Sequence, residues 1–491
     1  MERSYGGNMV INNIVIVGGG SSGWMTAAAL AYQCPDIQLT LVESPKIGNV
    51  GVGESTLGQI NRYMRMLDLK DQEWMKECSA TYKTSIQFTD FKEIGHRFQY
   101  PFGFLKAYES NEKLRNMQDF FYVAMKYPKE LPVDSFDKVH SLNTHMATHN
   151  KMWDEAIPEV GYDPEDDTAY HIDADAFGQY LKKRFCSKVQ HIQDEVVGHQ
   201  KDNDGNLEYI TLEKGRVLRA DLFIDCSGFK SLLIENTMMI PFEKFSILPN
   251  DSAVAARIPY KDEEDKRNKM SCVTDCKALS SGWLWDIPLW SRLGTGYVYS
   301  SEFQTKESAE EEFRQETGWD GDVRHIKFRH GKHKKAWEKN VVAIGLAYGF
   351  IEPLESTGLL TTHENIMKLI HMLKARNNRI NGYDIKTFNT FCDNSITSMS
   401  EFVAAHYGYS LRDDTPYWRH VTTEIDYPHL TSETGPVYIA AGFGLPLKDF
   451  ADMPKGVEVA KNEMLEHIKD LEYLVEQMPH HYDYLKQNIY K

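Results

Sequence analysis

The sequence predicts an α/β fold: one module built on a parallel sheet, and a second, mainly helical module toward the C-terminus. Three observations predict it. Residues 13–18, Asn-Ile-Val-Ile-Val-Gly, are a β-branched run suited to a strand buried on both faces. A glycine cluster, the helix-forming run Trp24–Gln33 and a second apolar run at 37–44 follow within about thirty residues. From residue 380 onward the pattern is helix and loop, ending in an amphipathic stretch at 456–476.

Taken in order, Gly18-Gly19-Gly20-Ser21-Ser22-Gly23 joins the first strand to the first helix, and Ile37–Ser44 is the second strand. The pattern predicts a helix over 53–67 and a strand over 83–91. Between 100 and about 165 the chain is aromatic and Met-rich with weak periodicity, which reads as an insertion covering something. Residues 173–185 predict a helix with Phe177, Tyr180, Leu181 and Phe185 on one side. Short strands flank the turn Asn203–Asn206, an antiparallel ribbon by its turn chemistry. Leu218–Gly228 and Asn340–Phe350 read as buried strands, the second leading to a helix after Glu355. These elements divide the chain into a first module over 9–375, carrying the insertion, and a substrate-side module over 376–491 interleaved with it.

The 491 residues can bury a large core, and 42% hydrophobic with 26% charged residues is ordinary for a globular protein. A net charge of −16 excludes nucleic acid and anionic membrane as expected partners, because phosphate contacts need clustered Lys and Arg. The short basic tract His330–Lys335 reads as a solvated loop. Seven scattered cysteines predict reduced thiols, and Cys272 and Cys276 lack the second ligand pair a zinc site requires, so no metal is expected. No apolar run reaches the roughly 18 residues of a membrane span, and the N-terminus does not read as a signal peptide. A cytoplasmic location is the expectation.

The glycine cluster fits G-x-G-x-x-G between a strand and a helix. Gly18 permits the tight turn, Gly20 lets the backbone approach a pyrophosphate, and Gly23 allows close helix–strand packing. The helix start, with Ser22 in its first turn, offers free N–H groups and partial positive charge to phosphates. Glu43, twenty residues past Gly23, stands where an acid binds a ribose hydroxyl and disfavours a 2′-phosphate. Two further buried strands ending in small residues, at 223–229 and 341–350 with Gly345, suit passage beside a long cofactor and favour FAD over NAD.

At these residues the chain resembles the flavin-dependent halogenases of the tryptophan halogenase family, over about residues 13–420. The glycine motif followed by Trp24 is similar to the family's nucleotide motif. Gly51-Val52-Gly53-Glu54-Ser55-Thr56 resembles its flavin-contacting strap, with Gly53 and Glu54 at the cofactor. Trp283-Leu284-Trp285-Asp286-Ile287-Pro288 matches the W-x-W-x-I-P signature, a far more specific signal than the glycines. Ala80–Lys83 resembles the segment whose lysine is catalytic, and Pro353–Gly358 the segment carrying the catalytic glutamate and the halide site.

The resemblance implies a Rossmann-like FAD-binding module of the flavin monooxygenase type beside a mainly helical substrate-binding module. It implies that reduced FAD, O₂ and a halide (chloride, bromide or iodide) give hypohalous acid, which halogenates an electron-rich indole, phenol or tryptophan-like substrate. The partners it implies are that small aromatic and a separate flavin reductase, with homodimerisation left open. Lys83 would direct the oxidant, either as an ammonium hydrogen-bond donor or as an amine forming a haloamine. Glu355 would deprotonate or stabilise the cationic arene. Glu352 reads only as a helix-terminal carboxylate. Thr357 and Gly358 would bind halide, since the Ser-Thr-Gly step sets backbone N–H groups at a helix start. Trp283, Trp285, Ile287 and Pro288 would keep organic substrate from the flavin.

One departure bears on the substrate. Tyr100-Pro101-Phe102-Gly103 falls where the tryptophan enzymes carry a His-Pro-Phe-Gly that sandwiches the indole. Phe102 matches and Tyr100 replaces the histidine. The C-terminal region also does not align with the part that binds an amino acid's amine and carboxylate, so a free indole or phenol stands beside tryptophan. The rival readings are a flavin aromatic hydroxylase using NAD(P)H directly and a non-catalytic flavoprotein.

Overall fold

A computed structural model describes residues 9–46, 52–103, 117–427, 434–446 and 456–491. Its first sheet has six strands in the order Trp337–Glu338, Val341–Ala343, Leu222–Asp225, Asn13–Val17, Gln38–Glu43 and Gln190–Gln193. All pairs but the first are parallel. Ile14, Val15, Ile16, Leu222, Phe223 and Ile224 are buried, which is why these strands are continuous apolar runs rather than alternating ones. The helix Ser21–Gln33 packs against the helices Ala174–Phe185 and Thr357–Ala375. Its Ala27-Ala28-Ala29 run is fully buried, so small side chains sit where these helices meet the rest of the core.

A second sheet orders seven strands: Arg324–Lys327, Ser252–Pro259, Arg292–Tyr299, Gly282–Pro288, Val273–Ala278, Ser85–Thr89 and Arg97–Pro101. Only the pair Ser85–Thr89 and Val273–Ala278 is parallel. A small antiparallel sheet, Glu54–Ser55, Ala169–Ile172 and Thr81–Lys83, accompanies these two.

Several local expectations are corrected. The helix expected over 53–67 covers only Ile60–Met66. Upstream of it, Glu54–Ser55 pairs with His171–Ile172, while the Thr56 N–H and hydroxyl both donate to the Tyr170 carbonyl. Those pairings outweigh helix propensity. The strand expected over 83–91 breaks at Thr84: Thr81–Lys83 belongs to the small sheet and Ser85–Thr89 to the seven-stranded one. The strand expected over 340–350 is Val341–Ala343; Gly345–Ala347 is a tight helical turn and Gly349–Phe350 joins another sheet. The basic tract is no solvated loop. Gly331–His333 is a strand, His330 and His333 are buried, Lys332 pairs with Asp393, and His333 Nε2 lies 3.0 Å from Glu235 Oε2.

The insertion supplies the helices Met117–Lys126, Phe136–His140 and Leu142–Thr148. Phe120, Phe121 and Phe136 share an apolar cluster with Val437, Tyr438, Val457 and Met464 of the C-terminal helices Thr434–Gly442 and Val457–Glu476. The long helix Gly382–Gly408 is opened by a capping box of Asn381 and Asp384. Its last turns bring Phe402, His406 and Tyr407 into the core. All seven cysteines are buried and none is disulfide-bonded. Among the described residues no helix is long and apolar enough to cross a membrane.

Candidate active site

The glycine turn has the geometry a dinucleotide needs. Gly18 sits at φ +120°, and a Cβ there would stand 2.1 Å from the Cys226 carbonyl oxygen of the neighbouring strand. A Cβ on Gly23 would stand 1.9 Å from the Gly18 carbonyl oxygen. Gly20 caps the helix in extended conformation without a side-chain bond, so the first-turn N–H groups stay open to an anion. Gly345 approaches the Ser22 hydroxyl, and Glu43 closes the second strand with Oε2 2.8 Å from His191 Nε2. These residues fit an extended FAD.

Lys83 ends its strand at the residue before the chain changes sheets, and it has no exposed surface. Its Nζ donates to Ser55 Oγ (2.7 Å), Ser356 Oγ (2.8 Å) and the Thr56 carbonyl (3.1 Å). Burial, opposed by nearby Cys276 and Glu355, lowers its pKa to about 7.

The acceptors around Lys83 are oriented by a hydroxyl chain that can be read from its far end. Thr81 Oγ1 donates to the Pro288 carbonyl at 2.6 Å, so it accepts from His171 Nδ1 at 3.2 Å. That tautomer leaves His171 Nε2 to accept from Thr274 Oγ1 at 2.9 Å. Thr274 then accepts from Ser55 at 2.7 Å, and Ser55 from Ser356 at 2.9 Å. Every proton in the chain points away from Lys83. Burial and the Lys83 charge hold His171 well below the usual imidazole range, so it stays neutral.

Ser356, which touches Lys83, has left-handed backbone (φ 56°, ψ 34°) between the short turn Pro353–Glu355 and the helix beginning at Thr357. This right-to-left-handed reversal turns successive N–H groups to one side, the arrangement of an anion nest. Thr357 Oγ1 is buried with no hydrogen-bond partner, and Thr357 and Gly358 line a small cavity with Leu346, Phe350 and Thr361. A Cβ on Gly358 would stand 3.6 Å from Glu54 Oε2, so the Glu54 carboxyl borders the same helix start. Burial, with Asp175 nearby, raises Glu54 to about 7. Gly53 lies against Ile287 and Leu289.

Glu355 is fully buried, and burial pushes its carboxyl up while His406 and Lys83 pull it down. Glu352, expected as a plain helix-terminal carboxylate, is instead a buried hub. Its Oε2 accepts from Asn250 Nδ2 (2.7 Å), Trp283 Nε1 (2.9 Å) and the Tyr407 hydroxyl (2.7 Å). Trp283 is therefore tethered as well as packed. Trp285 lies 6.0 Å from it between ring centroids and covers Gly296, while Ile287 is buried and Pro288 ends the hydroxyl chain.

The structure brings Phe102 to Lys83, with Nζ 4.8 Å from the ring centroid. Tyr100 meets Phe102 edge-on at 6.3 Å and faces Phe402 at 5.8 Å and Tyr438 at 6.4 Å. Both expected substrate residues thus line an aromatic wall beside the lysine. Asn250, His406 and Tyr407 were not singled out in the sequence. The one signal for His406 and Tyr407 is that they adjoin at a helix end, and it carries meaning only once residues 352–355 are seen beside it.

Residues 13–440 match the family model described as Tryptophan halogenase. Tryptophan 7-halogenase RebH of Lentzea aerocolonigenes is 34% identical over 430 residues, which is 83% of this chain and 78% of that protein. The apo structure of VirX1 superposes with a TM-score of 0.90 at 41% identity, over 98% of this chain and 99% of that one. Xcc4156, a flavin-dependent halogenase from Xanthomonas campestris, gives 0.87 at 27% identity over 98% of each.

Proposed function

Because this chain belongs to the tryptophan halogenase family of flavin-dependent halogenases, we propose that it halogenates a small electron-rich aromatic with Lys83 and Glu355 as catalytic residues. FAD would be held by Gly18, Gly20, Ser22 and Gly23 at the pyrophosphate, by Glu43 at a ribose, and by Gly53, Glu54 and Gly345 along its length. Bound in reduced form, it supplies the electrons that convert O₂ and halide to hypohalous acid. The halide would rest against Thr357 and Gly358. The unpartnered Thr357 hydroxyl and the N–H groups of the nest support that assignment.

Lys83 acts as an ammonium in this reading. Three oxygen acceptors surround Nζ, and an ammonium has three N–H groups while an amine has two. Hypohalous acid gives its halogen to a ring carbon, and its oxygen leaves as water after taking a proton from Lys83. The proton on that carbon passes to Glu355, the C–H electron pair returns to the ring, and aromaticity is restored. Trp283 and Trp285 separate arene from flavin. Phe102 and Tyr100 hold the arene by ring contacts, which suits a free indole or phenol as well as tryptophan.

The observation that carries this reading is the buried Lys83 Nζ, set against Phe102 and hydrogen-bonded to the residue that follows Glu355. The test supplies reduced FAD, each halide in turn and a panel of indoles and phenols, with products read by mass. Lys83→Ala should lose about 10²–10⁴-fold in arene halogenation, yet still release hypohalous acid to a trapping dye. A variant that keeps more than about a tenth of its halogenation, well outside that range, overturns the assignment. So does one that loses oxidant and FAD binding together.

A further inference from the structure

His406 has no exposed surface, and its Nε2 stands 2.7 Å from Glu355 Oε1. The other ring nitrogen settles what lies between them. Nδ1 is 3.0 Å from the Phe402 carbonyl, which can only accept, so Nδ1 carries a proton. A neutral imidazole would then turn a lone pair on Nε2 toward a carboxylate. In that state Nε2, Oε1 and Oε2 are all buried acceptors without a donor. Such a contact is repulsive, and a buried unpaired acceptor is costly. One proton must sit between the two groups.

Where the proton resides follows from the surrounding charge. Glu355 faces the Lys83 ammonium on one strand, the Cys276 thiol on a second and the Tyr100 hydroxyl on a third, with His406 on the long helix. Glu352, held by three hydrogen bonds, also feels His406. With an imidazolium, the two carboxylates and the two cations balance; with a neutral ring, one buried negative charge is left over. His406 is otherwise set among the rings of Phe88 (4.6 Å), Phe402 (5.5 Å), Phe91 (6.4 Å) and Phe443 (6.4 Å), an apolar aromatic surrounding.

We infer that His406 is a positioning residue: as an imidazolium it keeps the buried Glu355 ionised, leaving Oε2 free to take the arene proton. The inference rests on the proposed role of Glu355. In the step described above, the ring proton adds to Oε2 while the Nε2 proton stays between the pair, so the imidazolium is neither consumed nor formed. Without it, burial would push the Glu355 carboxyl up with one opposing charge fewer, and a protonated Glu355 could accept no proton from the arene.

The test compares pH profiles of arene halogenation in wild type, Glu355→Gln and His406→Gln, with hypohalous acid release measured alongside. Gln at 406 can still donate a hydrogen bond but carries no charge. Losing an adjacent positive charge should raise a carboxyl pKa by about 1–3 units. The acidic limb of His406→Gln should move up by at least about one pH unit, toward the fall that Lys83 sets as pH rises through about 7, so that the active range narrows and its peak drops while oxidant release is unchanged. If Glu355→Gln keeps its halogenation, the role of Glu355 itself fails. If Glu355→Gln is inactive and the His406→Gln limb does not move, only the His406 inference is overturned. Infrared difference spectra of wild type against Glu355→Gln decide the matter if His406→Gln does not fold. A carboxylate band belonging to Glu355 at neutral pH supports the inference, and a protonated carboxyl band overturns it.

Discussion

Burial lowers the Lys83 pKa to about 7, so its charge is lost as pH rises through that value. The proposed step uses the ammonium as proton donor, so arene halogenation should fall as pH rises through about 7 while oxidant release does not. Halogenation that climbs over the same interval would point to the amine and a haloamine. Thr274→Val probes the same residue from a distance. It removes the hydroxyl that links Ser55 to His171 and leaves two buried groups short of a partner. Stability should drop by roughly 1–3 kcal/mol in chemical denaturation. The alkaline limb should also move to lower pH, because the acceptors that favour the charged lysine are no longer held in orientation. Lys83 and Glu355 could be singled out in the sequence because the short segments around each of them resemble the family's motifs. His406 and the hub at Glu352 were not. Asn250 and Tyr407 approach Glu352 from 102 and 55 residues away, and local pattern carries no trace of such contacts.

Among the elements, the helix Thr357–Ala375 shows how one backbone reversal serves two purposes. Left-handed Ser356 ends the turn holding Glu355 and opens the nest at Thr357 and Gly358, so the proposed base and the proposed halide site are separated by a single residue. Thr357→Val should raise the apparent halide KM several-fold with FAD binding unchanged. Gly358→Ala should do the same without unfolding, since its Cβ would meet Glu54 Oε2 at an ordinary 3.6 Å. Halide titrations beside flavin fluorescence measure both, and an unchanged KM in both variants rules the nest out. The first strand, glycine turn and helix were readable because hydrophobic period and glycine chemistry agree there. The strand expected over 83–91 was not readable as two, because Thr84 carries no breaker signal. What divides it is pairing with two different sheets, a tertiary fact.

At the scale of the whole molecule, the mainly parallel six-stranded sheet carries one glycine-rich turn of the dinucleotide kind, and the sequence offers no second such motif for a nicotinamide donor. Halogenation should therefore need reduced flavin from a separate reductase. Product formed with oxidised FAD and NADH alone, in a preparation free of reductase, would refute this. The mainly parallel sheet was legible from strand composition and motif order, whereas the seven-stranded antiparallel sheet, assembled from strands far apart in the chain, was not. The contact between the insertion and the C-terminal helices was not, because Phe120, Phe136, Tyr438 and Met464 meet over more than three hundred residues of chain. The burial of every cysteine has a last consequence. A protein that makes hypohalous acid is the nearest target of what escapes, and the thiolate is the reactive form of cysteine. Burial pushes Cys272 up to about 11 and Cys186 up to about 12, so almost no thiolate exists at neutral pH. Wear then falls on exposed thioethers such as Met239 and Met125, 73% and 50% exposed. On the proposed role of Lys83, the working life of the enzyme, counted in turnovers, would be set by how seldom the oxidant slips past that residue.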